Sequence, residues 1–268
     1  MKLLKSLFAV LFMITCVNSI LLAKVVVEGS TTVLPIAQRA AEEFMDSNDQ
    51  IEITVRGGGS GVGINSLISK KCDVATASRA IKDSELKKAS SNGVTPKAYV
   101  VAMDGIAVVV NSSNPVRKLT KAQVKDIFTG KISNWSEIGG ANEKIVVISR
   151  DSASGTFEAF NELALNKAKV RADALMQASN QAVATTVRNT KGAIGYVGIG
   201  YVKDLADVSV DGIKATPETV LSNKYPYSRP LFMYTNGPAK GEAKEYLDFV
   251  LSTDGQTLAK REGFVGLK

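Results

Sequence analysis

Apolar residues in this 268-residue chain fall into short blocks whose spacing alternates between the period of a strand and that of a helix. "KVVVEGS", from Lys24, is a compact β-branched run ending at Gly29. After Pro35, Ile36, Ala40 and Phe44 recur at the spacing of one helix face. "IEITVRGGGSG" repeats the plan with a strand over Ile51 to Val55, a glycine-rich turn, and Ile64, Leu67 and Ile68 at helical intervals. "DVATAS" predicts a third strand ending at Ser78, and a helix follows from about Asp83. "YVVAMDGIAVVVN" predicts two strands broken at Asp104-Gly105. Val124, Ile127 and Phe128 predict a helix, "KIVVIS" a strand, and Phe157, Phe160 and Ala164 the buried face of the helix after it. "GAIGYVGIGY" reads as a glycine-punctuated strand and turn and "PLFMYT" as a late strand. Ala243, Tyr246, Leu247 and Val250 form the face of a last long helix. The fold class is α/β, with strand ends running into helix starts, where open α/β sheets bind ligands.

The first 23 residues stand outside this pattern. "MKLLKSLFAVLFMITCVNSILLA" sets Lys2 and Lys5 before an apolar run and closes on Ala23, the layout of a cleavable secretory signal. Cleavage is expected after Ala23, with Ser19 as the alternative. Asn18 and Ser19 interrupt the run and no charge cluster follows, which disfavours a retained membrane helix. Cys16 lacks the small preceding residues of a lipoprotein signal. Loss of the leader leaves Cys72 alone, so no intrachain disulfide forms and a buried structural thiol is expected.

The chain carries 33 basic and 26 acidic residues. Two of the lysines and none of the acids lie in the leader, so the remainder holds 31 against 26, a net charge of +5. The lysines are interleaved with acids, as in "KDSELKK". That describes solvated helix faces, not a nucleic-acid surface, and the excess suits encounter with small anions. Histidine is absent. Its absence removes histidine-based nucleophile systems and general bases, and neither a Gly-x-x-x-x-Gly-Lys-Ser/Thr loop nor a Gly-x-Ser-x-Gly elbow occurs. The chain reads as a binding protein, not an enzyme, with no cofactor and no metal.

Three segments carry a strand's end into a helix start rich in Gly, Ser and Thr: "GSTT" (29–32), "GGGSG" (57–61) and "SRDSASGT" (149–156), beside "TASR" (76–79). A helix start offers unpaired N–H groups and partial positive charge. Ser154, Gly155 and Thr156 are therefore suited to hold an oxyanion that Arg150 neutralises. Ordinary capping explains Ser and Thr equally well. It does not explain Gly57-Gly58-Gly59 or Arg150, and the recurrence points to a converging cage of donors.

"VEGSTTVLPIA", "GGGSGVGI", "DVATASR", "LTKAQVKDIFTGKISNW", "SRDSASGTFEAF" and "GAIGYVGIGY", in this order, resemble the phosphate-binding proteins of bacterial phosphate ABC transporters, in their shorter form. The resemblance covers nearly all of the chain after the leader. It implies a two-lobed periplasmic-binding-protein fold of type II that closes over one inorganic phosphate in the cleft between lobes. It also implies delivery, as a monomer in the periplasm, to an ABC permease in the inner membrane. The implied lobes are residues 24–106 with 230–268, and 107–229. The implied phosphate-binding residues are Ser30, Thr31, Thr32, Ser60, Ser78 and Arg79 on one wall and Arg150, Ser154, Gly155 and Thr156 on the other. Where the longer form of the family has an Asp that accepts the phosphate proton, this chain has Ser78 followed by Arg79. The acceptor role then falls to Ser78 or a Thr hydroxyl beside it. Arg79 either adds charge at the cleft edge or forms a structural ion pair. Asp151 is placed to orient Arg150. Binding of another tetrahedral oxyanion (sulfate, molybdate or tungstate) is the alternative.

Overall fold

A computed structural model describes residues 23–267. The leader therefore lies outside the described residues except for Ala23, which opens the first strand opposite Ile51. The chain runs β1 (Ala23–Gly29), α1 (Leu34–Asp46), β2 (Ile51–Gly57), α2 (Ser60–Ile68), β3 (Val74–Ala77), α3 (Asp83–Ser91) and β4 (Pro96–Val110). It continues through β5 (Lys118–Leu119), α4 (Lys121–Thr129), β6 (Val146–Arg150), α5 (Gly155–Leu163), β7 (Leu175–Gln177), α6 (Asn180–Asn189) and β8 (Ala193–Gly198). It ends with β9 (Ala206–Val210), α7 (Pro217–Leu221), β10 (Ser228–Asn236), α8 (Gly241–Leu251) and α9 (Thr253–Arg261). The strand order is β2-β1-β3-β10-β4-β8-β6-β7, with β9 beside β4 and β5 beside β9. Parallel pairs β1–β2, β1–β3, β6–β8 and β6–β7 flank a centre in which β10 and β4 are antiparallel to their neighbours.

The centre departs from the sequence expectation. β4 is one strand of 15 residues, and Asp104-Gly105 lies inside it. The pair marks a change of partner: β4 is bonded to β10 as far as Gly105 opposite Ser228, and to β8 from Ile106 opposite Gly198. Asp104 needs no turn because its registered partner across the pair is Arg229, with which it forms an ion pair at 2.7 Å. Gly105 is required by packing, since a Cβ there would lie 2.8 Å from Val220 Cγ2 of α7.

Other differences are local. The last long helix is two helices, because Ser252 takes an extended conformation and its Oγ accepts the Gly255 N–H at 3.2 Å to start α9. Phe157 is half-buried, whereas Phe160 and Ala164 are buried as expected. β7, α6, β9 and α7 occupy segments whose apolar spacing marked no element. Cys72 is buried, and burial, reinforced by Glu28 and Asp73, pushes its thiol up to about 12, so it stays protonated and inert at neutral pH.

Directly behind the Ser149–Thr156 segment, Phe160 of α5 stacks on Tyr196 of β8 with ring centroids 4.0 Å apart and planes within 9°. Phe128 and Tyr227 pack edge-on against Phe160. The Tyr196 hydroxyl bonds to Ser149 Oγ at 3.0 Å and accepts the Arg150 N–H at 3.2 Å. Phe160→Ala should cost about 3–5 kcal/mol of stability in urea unfolding, because a close-packed aromatic cluster leaves a cavity when one ring goes. A loss below about 1 kcal/mol would contradict the packing described.

Candidate functional site

The three glycine- and hydroxyl-rich segments meet at one place. β1 ends at Gly29, whose φ of 141° and missing side chain let the chain pass the Thr76 carbonyl, where a Cβ would lie 2.2 Å away. Ser30 then donates its N–H to Thr76 O at 2.9 Å, and its Oγ accepts the Thr32 N–H at 3.1 Å. β2 runs through Gly57–Gly59 into α2, whose first residue is Ser60. Ser60 Oγ accepts the N–H of Ser78, just past the end of β3, at 3.0 Å, and the two hydroxyls are 3.3 Å apart. Ser30, Thr31, Thr32, Ser60 and Ser78 thus share one buried wall.

The second segment faces them. Ser154 caps α5, its side chain accepting the Phe157 N–H at 3.1 Å, while the N–H groups of Gly155 and Thr156 open the first turn. Capping and convergence are therefore both present. Thr156 Oγ1 lies 2.9 Å from Thr32 Oγ1, and Gly61 N–H donates to Ala153 O at 3.0 Å. A Cβ on Gly155 would sit 2.2 Å from Ser60 Oγ and 2.8 Å from Ser78 Oγ, so only glycine allows the two walls to come this close.

Arg150 supplies the charge. Its side chain is fixed by Nε donating to Gln177 O at 3.0 Å and Nη2 donating to Ala178 O at 3.0 Å and Thr31 Oγ1 at 3.2 Å. Nη1 has no partner among the described residues, although Arg150 is only 2% exposed. Burial lowers the guanidinium from its ordinary value, yet arginine stays charged near neutrality. A buried cation with an unmatched donor beside two helix starts is a demand for an anion. Asp151 does not orient Arg150. Its Oδ1 accepts the Ala153 N–H at 3.0 Å, and the carbonyls of Gln177 and Ala178 hold the arginine instead.

Arg79 turns away from this cage. Its Nη1 and Nη2 each donate to Glu85 at 2.8 Å, Nη1 also donates to Ala80 O, and Nε pairs with Glu158 of α5. Lys82 Nζ reaches Glu158 as well, at 2.7 Å. Burial alone would raise the Glu85 carboxyl, but the bonds from Arg79 and the Lys82 N–H outweigh it and hold it below its ordinary value. Of the two roles expected for Arg79, the structure has the ion pair, and that pair joins the two walls at their rim.

Four residues absent from the sequence expectation complete the site. Asn180, the first residue of α6, donates from Nδ2 to Thr31 Oγ1 at 3.1 Å and Thr32 Oγ1 at 3.0 Å. Tyr201 donates its hydroxyl to Thr31 O at 2.7 Å. Arg229 reaches Ser78 O and Thr156 Oγ1, both at 3.0 Å, and is anchored on Asp104, which is fully buried. Burial raises the Asp104 carboxyl and lowers the Arg229 guanidinium, and each opposes the shift of the other. An arginine before Pro230 in an otherwise apolar strand, matched by a lone Asp104 in another, is the signal that pairs them. Asn180 gives no such signal, since it follows Ser179 as an ordinary helix start does. Among the described residues no cluster of metal-ligating side chains occurs.

Residues 21–254 match the model of the PBP superfamily domain. The phosphate-binding protein PstS of Bacillus subtilis is 35% identical over 245 residues, covering 89% of this chain and 79% of the relative. That of Borreliella burgdorferi is 32% identical, covering 90% and 88%. Among solved structures, a Clostridium perfringens protein described as a candidate phosphate ABC transporter substrate-binding protein with bound phosphate superposes with a TM-score of 0.85 at 36% identity, covering 91% of this chain and all of that one. An ABC-type phosphate transport receptor from Vibrio cholerae superposes with a TM-score of 0.74 at 31% identity, covering 90% and 99%. The motif order, the α/β architecture and these likenesses agree, and the chain belongs to the PstS family of phosphate-binding proteins within the PBP superfamily.

Proposed function

We propose that this protein captures inorganic phosphate between two lobes and delivers it to an ABC permease in the inner membrane. In this reading it works as a periplasmic monomer freed of its leader after Ala23 or Ser19. One observation carries the reading: Arg150 Nη1, buried and without a partner, points to a bound anion where the helix starts of α2 and α5 meet the Thr31 and Thr156 hydroxyls. A micromolar dissociation constant needs about 8 kcal/mol. Hydrogen bonds to a charged group give about 1.5–3 kcal/mol each before association costs, so a cage of several donors suffices without metal. The lobes are residues 24–106 with 230–268, and 107–229. Support comes from the change of partner along β4 between Gly105 and Ile106 and from the start of β10 at Ser228. Ser30 and Thr32 N–H serve the loop itself, so Thr31, Thr156, the Ser60–Ser78 pair, the free N–H groups of Gly155 and Thr156, and Arg150 face the phosphate.

Two outcomes follow. Arg150→Ala, folded by circular dichroism, should weaken phosphate binding in calorimetry by about 2–5 kcal/mol. Wild-type affinity in the folded variant would place the anion elsewhere. Glu158→Gln removes the carboxylate that ties Arg79 and Lys82 across the rim. It should speed phosphate release by about 3- to 10-fold in stopped-flow measurements with little change in association, because partly buried ion pairs act on the dissociation rate. An unchanged release rate would show that the rim pairs do not hold the closed form.

A further inference from the structure

A hydroxyl has one proton to give and two lone pairs to receive with, so its partners determine which it offers a ligand. Thr31 Oγ1 receives Arg150 Nη2 at 3.2 Å and Asn180 Nδ2 at 3.1 Å, which fills both lone pairs and leaves only its proton. Thr32 Oγ1 receives the other Asn180 proton at 3.0 Å and a share of Arg229 Nη2 at 3.4 Å, so its own proton goes to Thr156 Oγ1, 2.9 Å away. Thr156 Oγ1 takes that proton and the nearer share of Arg229 Nη2 at 3.0 Å, and again only a proton is left. The orientation of the Asn180 amide is set from behind, because its Oδ1 accepts the Gly198 N–H at 3.1 Å and turns Nδ2 to the threonines.

Arg229 has nothing left for an anion. Nε and Nη2 donate to Asp104 Oδ2 at 2.9 and 2.7 Å, and Nη1 donates to Ser78 O at 3.0 Å and Gly155 O at 3.4 Å. Its remaining proton is the one shared by Thr156 and Thr32. The serines differ from the threonines. Ser60 Oγ already receives the Ser78 N–H, and the two hydroxyls are 3.3 Å apart. Whichever of them donates to the other, the pair keeps one proton and at least one lone pair to offer.

We propose that Asn180 and Arg229 are positioning residues that make Thr31 and Thr156 obligate donors, leaving the Ser60–Ser78 pair as the acceptor for a proton carried by the anion. The inference rests on the reading of this site as a phosphate site. It makes discrimination against sulfate a property of the serine pair: phosphate at neutral pH brings a proton that the pair receives, and sulfate brings none.

Competition calorimetry with phosphate and sulfate on the full chain tests it. The wild type should prefer phosphate by at least about 100-fold. Ser78→Ala should lower phosphate affinity by about tenfold or more while sulfate changes less than about threefold, so the ratio narrows. Asn180→Ala should weaken both anions together by about tenfold or more, because Thr31 is no longer held as a donor. Thr31→Val, which leaves Asn180 in place, should do the same if Asn180→Ala does not fold. A Ser78→Ala ratio equal to that of the wild type overturns the inference, as does a loss confined to phosphate in Asn180→Ala or Thr31→Val. A wild type that binds neither anion overturns the phosphate reading itself.

Discussion

The structure depends on the desolvation of Arg150. A guanidinium taken out of water carries a large penalty unless every donor is matched and its charge balanced. Here three protein oxygens hold Nε and Nη2, and Nη1 is left over. The surroundings extend the same demand, since the first turn of α5 opens with the N–H groups of Gly155 and Thr156 and the carboxylate nearest in sequence, Asp151, is spent on its own loop. In the proposed reading an anion is the partner of that donor, and the small side chains follow from it. Glycine at 59 and 155 lets the two walls approach to distances a Cβ would forbid, and glycine at 29 lets β1 pass close to Thr76 within one wall.

The second buried arginine has the opposite character. Arg229 sits on β10 opposite Asp104 on β4, on the two strands that link the sheet of β1–β3 to that of β6–β8, and it spends every donor on protein. It touches Thr32 and Ser78 on one wall and Gly155 and Thr156 on the other, so it binds the walls to the strands between them. Counting donors separates two arginines that composition treats alike: one is left needing an anion, the other aligns the groups that meet it.

Legibility in the sequence follows the range of the interactions. "GSTT", "GGGSG" and "SRDSASGT" are readable because a strand end, a tight approach and a helix start are local events with their own residue preferences. The alternation of strand and helix is likewise carried by nearest-neighbour spacing. Asp104-Gly105 misleads for the reason that makes it important: its carboxylate is satisfied 125 residues away in sequence, by Arg229, and no local rule contains that partner. Asn180 looks like any residue after a capping serine until α6 is set against the β1–α1 loop. Asp151 illustrates the converse, a neighbour in sequence credited with an orientation that more distant carbonyls provide.

The central claim is that the walls close because an anion completes Arg150. Small-angle X-ray scattering of the protein stripped of phosphate, and again in millimolar phosphate, tests this directly. The account predicts that phosphate reduces the radius of gyration and brings the curve to that of the arrangement described, with Thr32 against Thr156 and Arg79 against Glu158. Identical curves with and without phosphate, in a protein shown by calorimetry to bind it, would contradict it.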